Sequence, residues 1–471
     1  MTSNPLNVLL LTVDCLRYDR CGFNGHHIDT TPNLDSLASE SYIFDHAFSS
    51  GPNTPESFPG ILAGRHSFRS AFFDAVPWKA LHPDSETLAG QLEKSGYDTF
   101  ATITNSQLIE ERNWGIGFDS FRNLQTAHTD GDTTFDDKQS PLYSFLDRME
   151  KWDSRINPYT PGYVAFRYLQ SRNEWPSIRA DQLSTEFLRD LDRHHIENPF
   201  FAWGHFMDVH APIHPSTMKS VDIGPQKNAF SILVDDVERV SRAGHGRYEK
   251  LYDCAVRYVD ENVGKVVEEL KAIGEWDNTI LILTGDHGEM LFDRNDSYGH
   301  PRHHMHNESL HVPLLVRVPG IDGKRIEAPF SLAWLHELVD ELVDVELEPL
   351  PAQSGRTSHI KDPEPATLIS DAIDETGHTI SVFDNKNKFI TTNRSGPLKH
   401  PTFEETYDNQ DVVYRYLLDK GERVPFEAQA EDVDGLSEVA TDIRTEADSL
   451  KQVTGELNRE LRDRLADLGY R

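Results

Sequence analysis

Thr279-Ile280-Leu281-Ile282-Leu283-Thr284-Gly285-Asp286-His287-Gly288-Glu289 passes from an apolar run into a cluster of potential ligands. Its first six residues form a short apolar run without polar alternation, as in a strand buried on both faces of a parallel sheet. An Asp-His pair between two glycines follows at once. In open α/β sheets ligands bind beyond the carboxyl ends of the strands, so the pair stands where a ligand would lie. It offers a divalent metal one oxygen and one nitrogen donor. The glycines on either side let the backbone turn and approach closely.

A second run of the same kind, Asn7 to Val13, ends on Asp14. Taken alone, such an acid is more often a helix cap or a surface residue than a metal ligand. Strands are also predicted over Tyr97–Ile103, Asn198–Phe206 and Leu314–Val318. Apolar residues at helical spacing mark Leu34–Ser41, Thr87–Ser95 and Lys250–Ile273, with Gly96 and Gly274 as stops. The alternation predicts an α/β fold, a mostly parallel central sheet with helices on both faces. Two polar stretches, about 124–178 and 216–247, break the rhythm and read as insertions on the substrate side. After Pro351 the texture changes. Gln353–Pro365 reads as a connector, Thr379–Phe383 and Phe389–Thr392 as strands around the turn Asn385-Lys386-Asn387, and Leu436–Leu468 as a charged helix. The expected organisation is a catalytic domain over 1–350 and a small C-terminal sheet-and-helix subdomain over 351–471.

The 471 residues are 37% hydrophobic and 26% charged, the balance of a soluble globular chain. No run approaches the roughly 20 apolar residues of a membrane helix, and the N-terminus lacks the basic region of a signal peptide. A cytoplasmic location is the expectation. The net charge of −32 opposes nucleic acid and anionic membranes. Acidic residues are spread along the chain, a pattern suited to a salt-rich cytoplasm and hence to a halophilic source. Cys15, Cys21 and Cys254 have no framework spacing and read as small buried hydrophobes.

Three further segments carry candidate chemistry. In Ser49 to Arg65 a Gly/Pro/Asn-rich loop enters a helix, with Thr54 or Ser57 near its N-terminus, a place that favours anions. Trp203 to Pro215 brings His205, Asp208, His210 and His214 into one strand-to-loop passage. His300 to Glu308 holds His300, His303, His304 and His306 just ahead of another strand. Any one of these histidines alone is more often structural, but two such loops at one sheet edge suggest a shared site.

These passages in this order resemble the sulfatase branch of the alkaline phosphatase superfamily. The matching segments are NVLLLTVD (7–14), TPNLDSLASES (31–41), the loop 54–65, SGYDTFATITN (95–105) with GFDSF (117–121), HFMDVHAP (205–212), 258–289 and ESLHVPLLVRVPG (308–320). The resemblance implies an alkaline-phosphatase-like fold and an enzyme acting on anionic esters with a divalent metal, Ca, Mg, Mn or Zn. It places Asp14, Asp286 and His287 on metal-ligand positions. Thr54 falls on the nucleophile that also touches the metal, and His210 on a histidine that contacts the transferred group or its leaving oxygen. One of His300, His303 and His304 falls where the family has a Lys or His. Asp208, His214 and these histidines offer a second metal or substrate site, and Asn105 lies near the family's Lys-x-His pair.

The departures are specific. Sulfatases use a formylglycine made from Cys or Ser in a C/S-x-P-x-R context, whereas this chain has Thr54 and, at the Arg position, Phe58. Asn105 stands near the missing Lys-x-His, and Cys15 replaces a second Asp. Threonine at the nucleophile is similar to nucleotide pyrophosphatase/phosphodiesterases and to lipoteichoic acid synthases. The leading expectation is therefore a hydrolase of phosphate mono- or diesters or of sulfate esters, with Thr54 as a metal-activated nucleophile. A phospho-group transferase to a sugar or glycerol, an arylsulfatase and a non-catalytic anion binder remain as alternatives.

Overall fold

The computed structural model describes residues 5–73, 76–127, 178–194, 198–211, 213, 217, 245–293, 298–361, 363–364, 366–374, 376–394, 412–415, 422, 430–450 and 454–455. Most of the two expected insertions, and His214, lie outside them.

The central sheet is built from β1 (Asn7–Val13), β2 (Ser41–Phe48), β3 (Asp98–Ile103), β4 (Ser120–Asn123), β5 (Phe200–Phe206), β6 (Thr279–Gly285), β7 (His311–Arg317) and β8 (Lys324–Ile326). They lie side by side in the order β8-β2-β7-β6-β1-β5-β3-β4, and Phe330–Ser331 also pairs with β2. Strands β1, β5 and β6 are buried along their whole length, which explains their unbroken apolar sequence. Alternation across β1 sends Val8 and Leu10 into one core and Leu9, Leu11 and Val13 into the other. Helices α1 (Pro32–Ala38), α4 (Ala180–His194) and α5 (His245–Ala272) contribute to the second core. Helices α2 (Thr54–Ala63), α3 (Leu88–Lys94) and α6 (Leu335–Leu342) contribute to the first. The sheet is thus covered on both faces, as its apolar runs predict.

The sheet differs from the sequence reading in unannounced strands, Ser120–Asn123 and Lys324–Ile326 among them, and in the direction of one strand. Ser41–Phe48 is a strand that the apolar pattern does not announce, because Asp45 and His46 interrupt it at half-buried positions. Strand β7 runs antiparallel to both β6 and β2. An antiparallel strand starts at the edge where its predecessor ends. The connection 286–310 therefore never crosses the sheet, and it stays at the carboxyl edge beside Asp286.

Beyond residue 350, β9 (Leu368–Asp374), β10 (Gly377–Phe383), β11 (Asn387–Thr392) and β12 (Val412–Arg415) form an antiparallel sheet in that order. Helix α7 (Ala430–Leu450) packs on it through Leu436, Ala440, Ile443 and Ala447. The sequence reading identifies β10 and β11 but not their flanking partners. The sheet grips the loop ahead of α2: Asp371 N donates to Ser50 O at 2.9 Å and Ser370 Oγ to Ser49 O at 2.7 Å. Among the described residues no helix is long and apolar enough to cross a membrane.

Helix α2 is held from behind by charge. Lys79 Nζ, buried, donates to Glu56 Oε1 at 2.6 Å and also to Ser67 Oγ, while Arg302 lies 3.4 Å from the same Glu56 oxygen. Removing one member of a buried pair strands the other charge and costs about 3–5 kcal/mol. Lys79→Met is expected to lower the unfolding free energy by about that amount in denaturant titration. Adding Glu56→Gln should recover part of the loss; an unchanged midpoint in Lys79→Met would refute the pairing.

Candidate active site

Five segments meet at the carboxyl edge. Strand β1 delivers Asp14 and Cys15, β6 delivers Asp286 and His287, β5 carries His205 and leads to His210, and β3 leads to Asn105. These four strands are neighbours and run in one direction, so their exits coincide. Strand β2, two places away, exits at the same edge into the loop that ends on Thr54.

Helix α2 begins at Thr54 with Pro55 behind it, where a missing N–H does no harm. It ends on Gly64, whose φ of 52° is the left-handed conformation that closes a helix. The Thr54 hydroxyl donates to Asp14 Oδ2 at 3.2 Å and lies 3.4 Å from His287 Nε2. His287 Nδ1 is 2.8 Å from Gly288 O, which assigns it the proton and leaves Nε2 with a free lone pair. Asp286 is anchored through Oδ1 by the backbone N–H groups of Cys15 and His287, and its buried Oδ2 has no hydrogen-bond partner among the described residues.

The flanking glycines act by close approach, not by an unusual turn. A Cβ on Gly285 would lie 2.4 Å from Leu16 O, and one on Gly288 would lie 2.1 Å from Glu308 O.

Negative charge accumulates without a matching side-chain cation. Asp14, Asp286 and Glu289 are fully buried, and no Lys or Arg among the described residues ion-pairs with them. Arg17 is close, but its guanidinium is committed to Asp19 and Asp293 and to the Glu289 carbonyl. Burial would raise the Asp14 carboxyl; the charge of His210 and the hydrogen bond from His205 outweigh it and hold it well below the usual carboxylate range. Burial and the charge of Asp14 push Asp286 well up. The two acids therefore share a proton unless a cation replaces it. Three donor groups lie within 4.8 Å of one another: Asp14-Asp286-His287, Asp14-Cys15-His210 and Cys15-His287-His300. The first, two oxygens and an imidazole with one orphaned carboxylate oxygen, fits a divalent cation.

A family model for Sulfatase matches residues 6–345. The chain belongs to the Sulfatase family. An arylsulfatase of Clostridium perfringens is 25% identical over 370 residues, covering 72% of this chain and 74% of that protein. The N-acetylgalactosamine-6-sulfatase of Homo sapiens is 26% identical, and the alignment spans about half of it, 52%. Among solved structures, a phosphonate monoester hydrolase from Silicibacter pomeroyi superposes with a TM-score of 0.61 at 18% identity, covering 94% of this chain and 96% of that one. That likeness speaks for the alkaline-phosphatase-like fold.

Within the family frame each candidate has a place. Asn105 Nδ2 donates to Asp14 Oδ2 at 3.0 Å, so it joins the candidate site directly. Of the three loop histidines, His300 enters the site: its ring lies 4.9 Å from that of His287 and 4.7 Å from that of His210. His303 turns to the C-terminal sheet, bonding Asp374 and Thr379, and His304 stacks edge-on with His306. Asp208 is not brought to the site. Its buried carboxylate accepts the Ala180 N–H at the start of α4, and burial pushes its pKa up to about 7. His300→Gln is accordingly expected to lower kcat with little change in melting temperature, and His303→Gln to lower the melting temperature with kcat kept. The reverse pattern would reassign the two residues.

His205, which the sequence places in the Trp203–Pro215 passage without assigning it a role, also reaches Asp14. Its Nδ1 lies 2.8 Å from Thr12 Oγ1 and its Nε2 3.4 Å from Asp14 Oδ2. Phe58, in place of the family's Arg, meets it edge-to-face with ring centroids 5.1 Å apart. The only sequence signal was its position as the penultimate residue of an apolar strand. Cys15 is buried as expected, yet it sits inside the site, with Sγ 3.1 Å from Asp14 Oδ1.

Proposed function

We propose that this sulfatase-family chain is a metal-dependent hydrolase of phosphate esters, with Thr54 as nucleophile and Asp14, Asp286 and His287 holding the cation. One observation carries the reading: an unmodifiable secondary alcohol lies 3.2 Å from Asp14 Oδ2 and 3.4 Å from His287 Nε2, within reach of a cation held by those two residues. A divalent cation at these ligands supplies positive charge that favours an ionised hydroxyl and an anionic substrate.

The remaining work falls to the chain. Asp14 Oδ2 accepts the Thr54 Oγ1 proton, which leaves an oxygen lone pair for attack. His210 and His300, with rings 4.7 Å apart at the same edge, are placed to neutralise charge on the transferred group. In-line attack by Thr54 Oγ1 on phosphorus breaks the ester P–O bond and leaves a phosphothreonine. Water then attacks phosphorus and restores the hydroxyl.

Phosphorus is favoured over sulfur because of how the intermediate must be released. A hydrated formylglycine carries a second hydroxyl whose proton loss expels sulfate. Threonine has no such group, so release requires attack on the transferred centre itself. The relatives' names span both classes: the Clostridium perfringens protein is an arylsulfatase and the Silicibacter pomeroyi structure is a phosphonate monoester hydrolase. A panel of aryl phosphate, bis-aryl phosphate, aryl phosphonate and aryl sulfate, each with Mn²⁺, Zn²⁺ and Ca²⁺, tests the reading. Phosphorus esters should turn over at least about tenfold faster than the sulfate, a difference of about 1.4 kcal/mol in barrier. A faster sulfate ester would refute it, and transfer to added glycerol instead of water would shift it to a transferase.

A further inference from the structure

The donors at the carboxyl edge divide into two sets. Asp14, Asp286 and His287 form one; Cys15 joins His300 and His287, or Asp14 and His210, in the others, and none of the three groups holds Cys15 together with Asp286. A single cation cannot use all of them. His287 Nδ1, although 3.9 Å from Cys15 Sγ, is already given to Gly288 O. That leaves Asp14, Cys15 and His210, whose oxygen, sulfur and nitrogen donors lie within 4.8 Å of one another, with His300 Nδ1 beside them, 3.5 Å from Cys15 Sγ.

We propose that Asp14, Cys15 and His210 form a second, thiophilic cation site, of the zinc class, bridged to the first through Asp14 and bordered by His300. The geometry fits the chemistry. Zn–S and Zn–N bonds of about 2.3 and 2.05 Å at a tetrahedral angle place sulfur and nitrogen roughly 3.6 Å apart. Cys15 Sγ and His300 Nδ1 are 3.5 Å apart, and Cys15 Sγ and Asp14 Oδ1 are 3.1 Å apart. The ring of His300 lies 4.7 Å from that of His210, so it borders the same set.

An independent feature of the backbone points the same way. Cys15 has φ 62°, a left-handed conformation that non-glycine residues adopt at a cost of about 1 kcal/mol or more. It is held by Tyr252 Oη, which donates to Cys15 O at 2.5 Å. The turn aims Sγ into the cluster instead of into the neighbouring core. Soft sulfur disfavours Ca²⁺ and Mg²⁺ and favours Zn²⁺ or Co²⁺ at this position. Binding exchanges the thiol proton for the cation and releases it to water. Two cations sharing Asp14 would flank the transferred group on both sides, the arrangement used for in-line displacement.

The inference rests on Asp14, Asp286 and His287 holding the first cation, so the test separates the two sites. The full-length protein, stripped of metal, is titrated with Co²⁺ alone and followed by absorption. The expected result is two equivalents bound, with a near-ultraviolet sulfur-to-cobalt band. Cys15→Ser should lose that band and one equivalent; Asp286→Asn should lose the other equivalent and keep the band. Cys21→Ala and Cys254→Ala should keep both. One equivalent with no sulfur band in the wild-type protein would overturn the second site and leave the first intact. A band that survives Cys15→Ser would overturn it as well. Full Co²⁺ binding by Asp286→Asn would instead sink the first-site reading. Circular dichroism of each variant excludes misfolding as the cause.

Discussion

Thr54→Ala is expected to lose turnover of aryl phosphates by a factor on the order of 10⁴ or more, the scale seen when a covalent nucleophile is removed. The hydroxyl is the only atom of the α2 start that faces both Asp14 and His287. Its loss removes the attacking oxygen and leaves the cation ligands in place. Thr54 is the first residue of the helix and its side chain caps nothing; the preceding Asn53 occupies the cap position. The variant should therefore keep its fold, with a stability change of about 1 kcal/mol or less. Thr54→Ser keeps an oxygen at the same point and should retain measurable activity. Rapid quenching of the wild-type protein during turnover should yield a phosphopeptide containing Thr54, absent from the alanine variant. Wild-type rates in Thr54→Ala would end the assignment.

The second large effect concerns Asp286. Without a cation, two buried carboxylates face each other, and burial together with Asp14 raises the Asp286 carboxyl so that it holds a proton. Asn imitates that protonated form. Asp286→Asn should melt at or slightly above the temperature of the metal-free wild type, against the usual rule that buried substitutions destabilise. The wild type should gain about 2.7 kcal/mol from Mn²⁺ at a hundred times its dissociation constant, and the variant almost none. Activity should fall with the lost cation. The pH dependence has a definite sign. A raised folded-state pKa means that cation binding must displace a proton, so affinity weakens as pH falls. Equal Mn²⁺ stabilisation of variant and wild type in differential scanning calorimetry would refute the ligand role.

Much of this site was legible in the residue order. The runs 7–13 and 279–284 could only be strands buried on both faces, and the acids that close them had to emerge at one edge if the strands were parallel. The role of His205 was not legible, because a histidine inside an apolar strand looks the same whether it packs or works. Only the register of β5 beside β1, which pairs Thr12 with His205, shows that it reaches Asp14. Asp208 misled for the opposite reason. An acid between two histidines suggests a ligand, yet its carboxylate closes the start of α4, a segment remote in sequence.

His300 could not be chosen over His303 and His304 from spacing alone. The choice depends on β7 turning back antiparallel, which leaves the loop 286–310 free to fold over the site while its later residues meet the C-terminal sheet. Residue types and strand ends, then, determined the fold class, the family and the convergence of Asp14, Asp286 and His287, because buried parallel strands admit little else. Which histidines join them, and that Cys15 turns inward, was decided by tertiary structure alone. Those facts depend on strand direction, register and one left-handed φ, and none of these is encoded within a few residues of the side chain concerned.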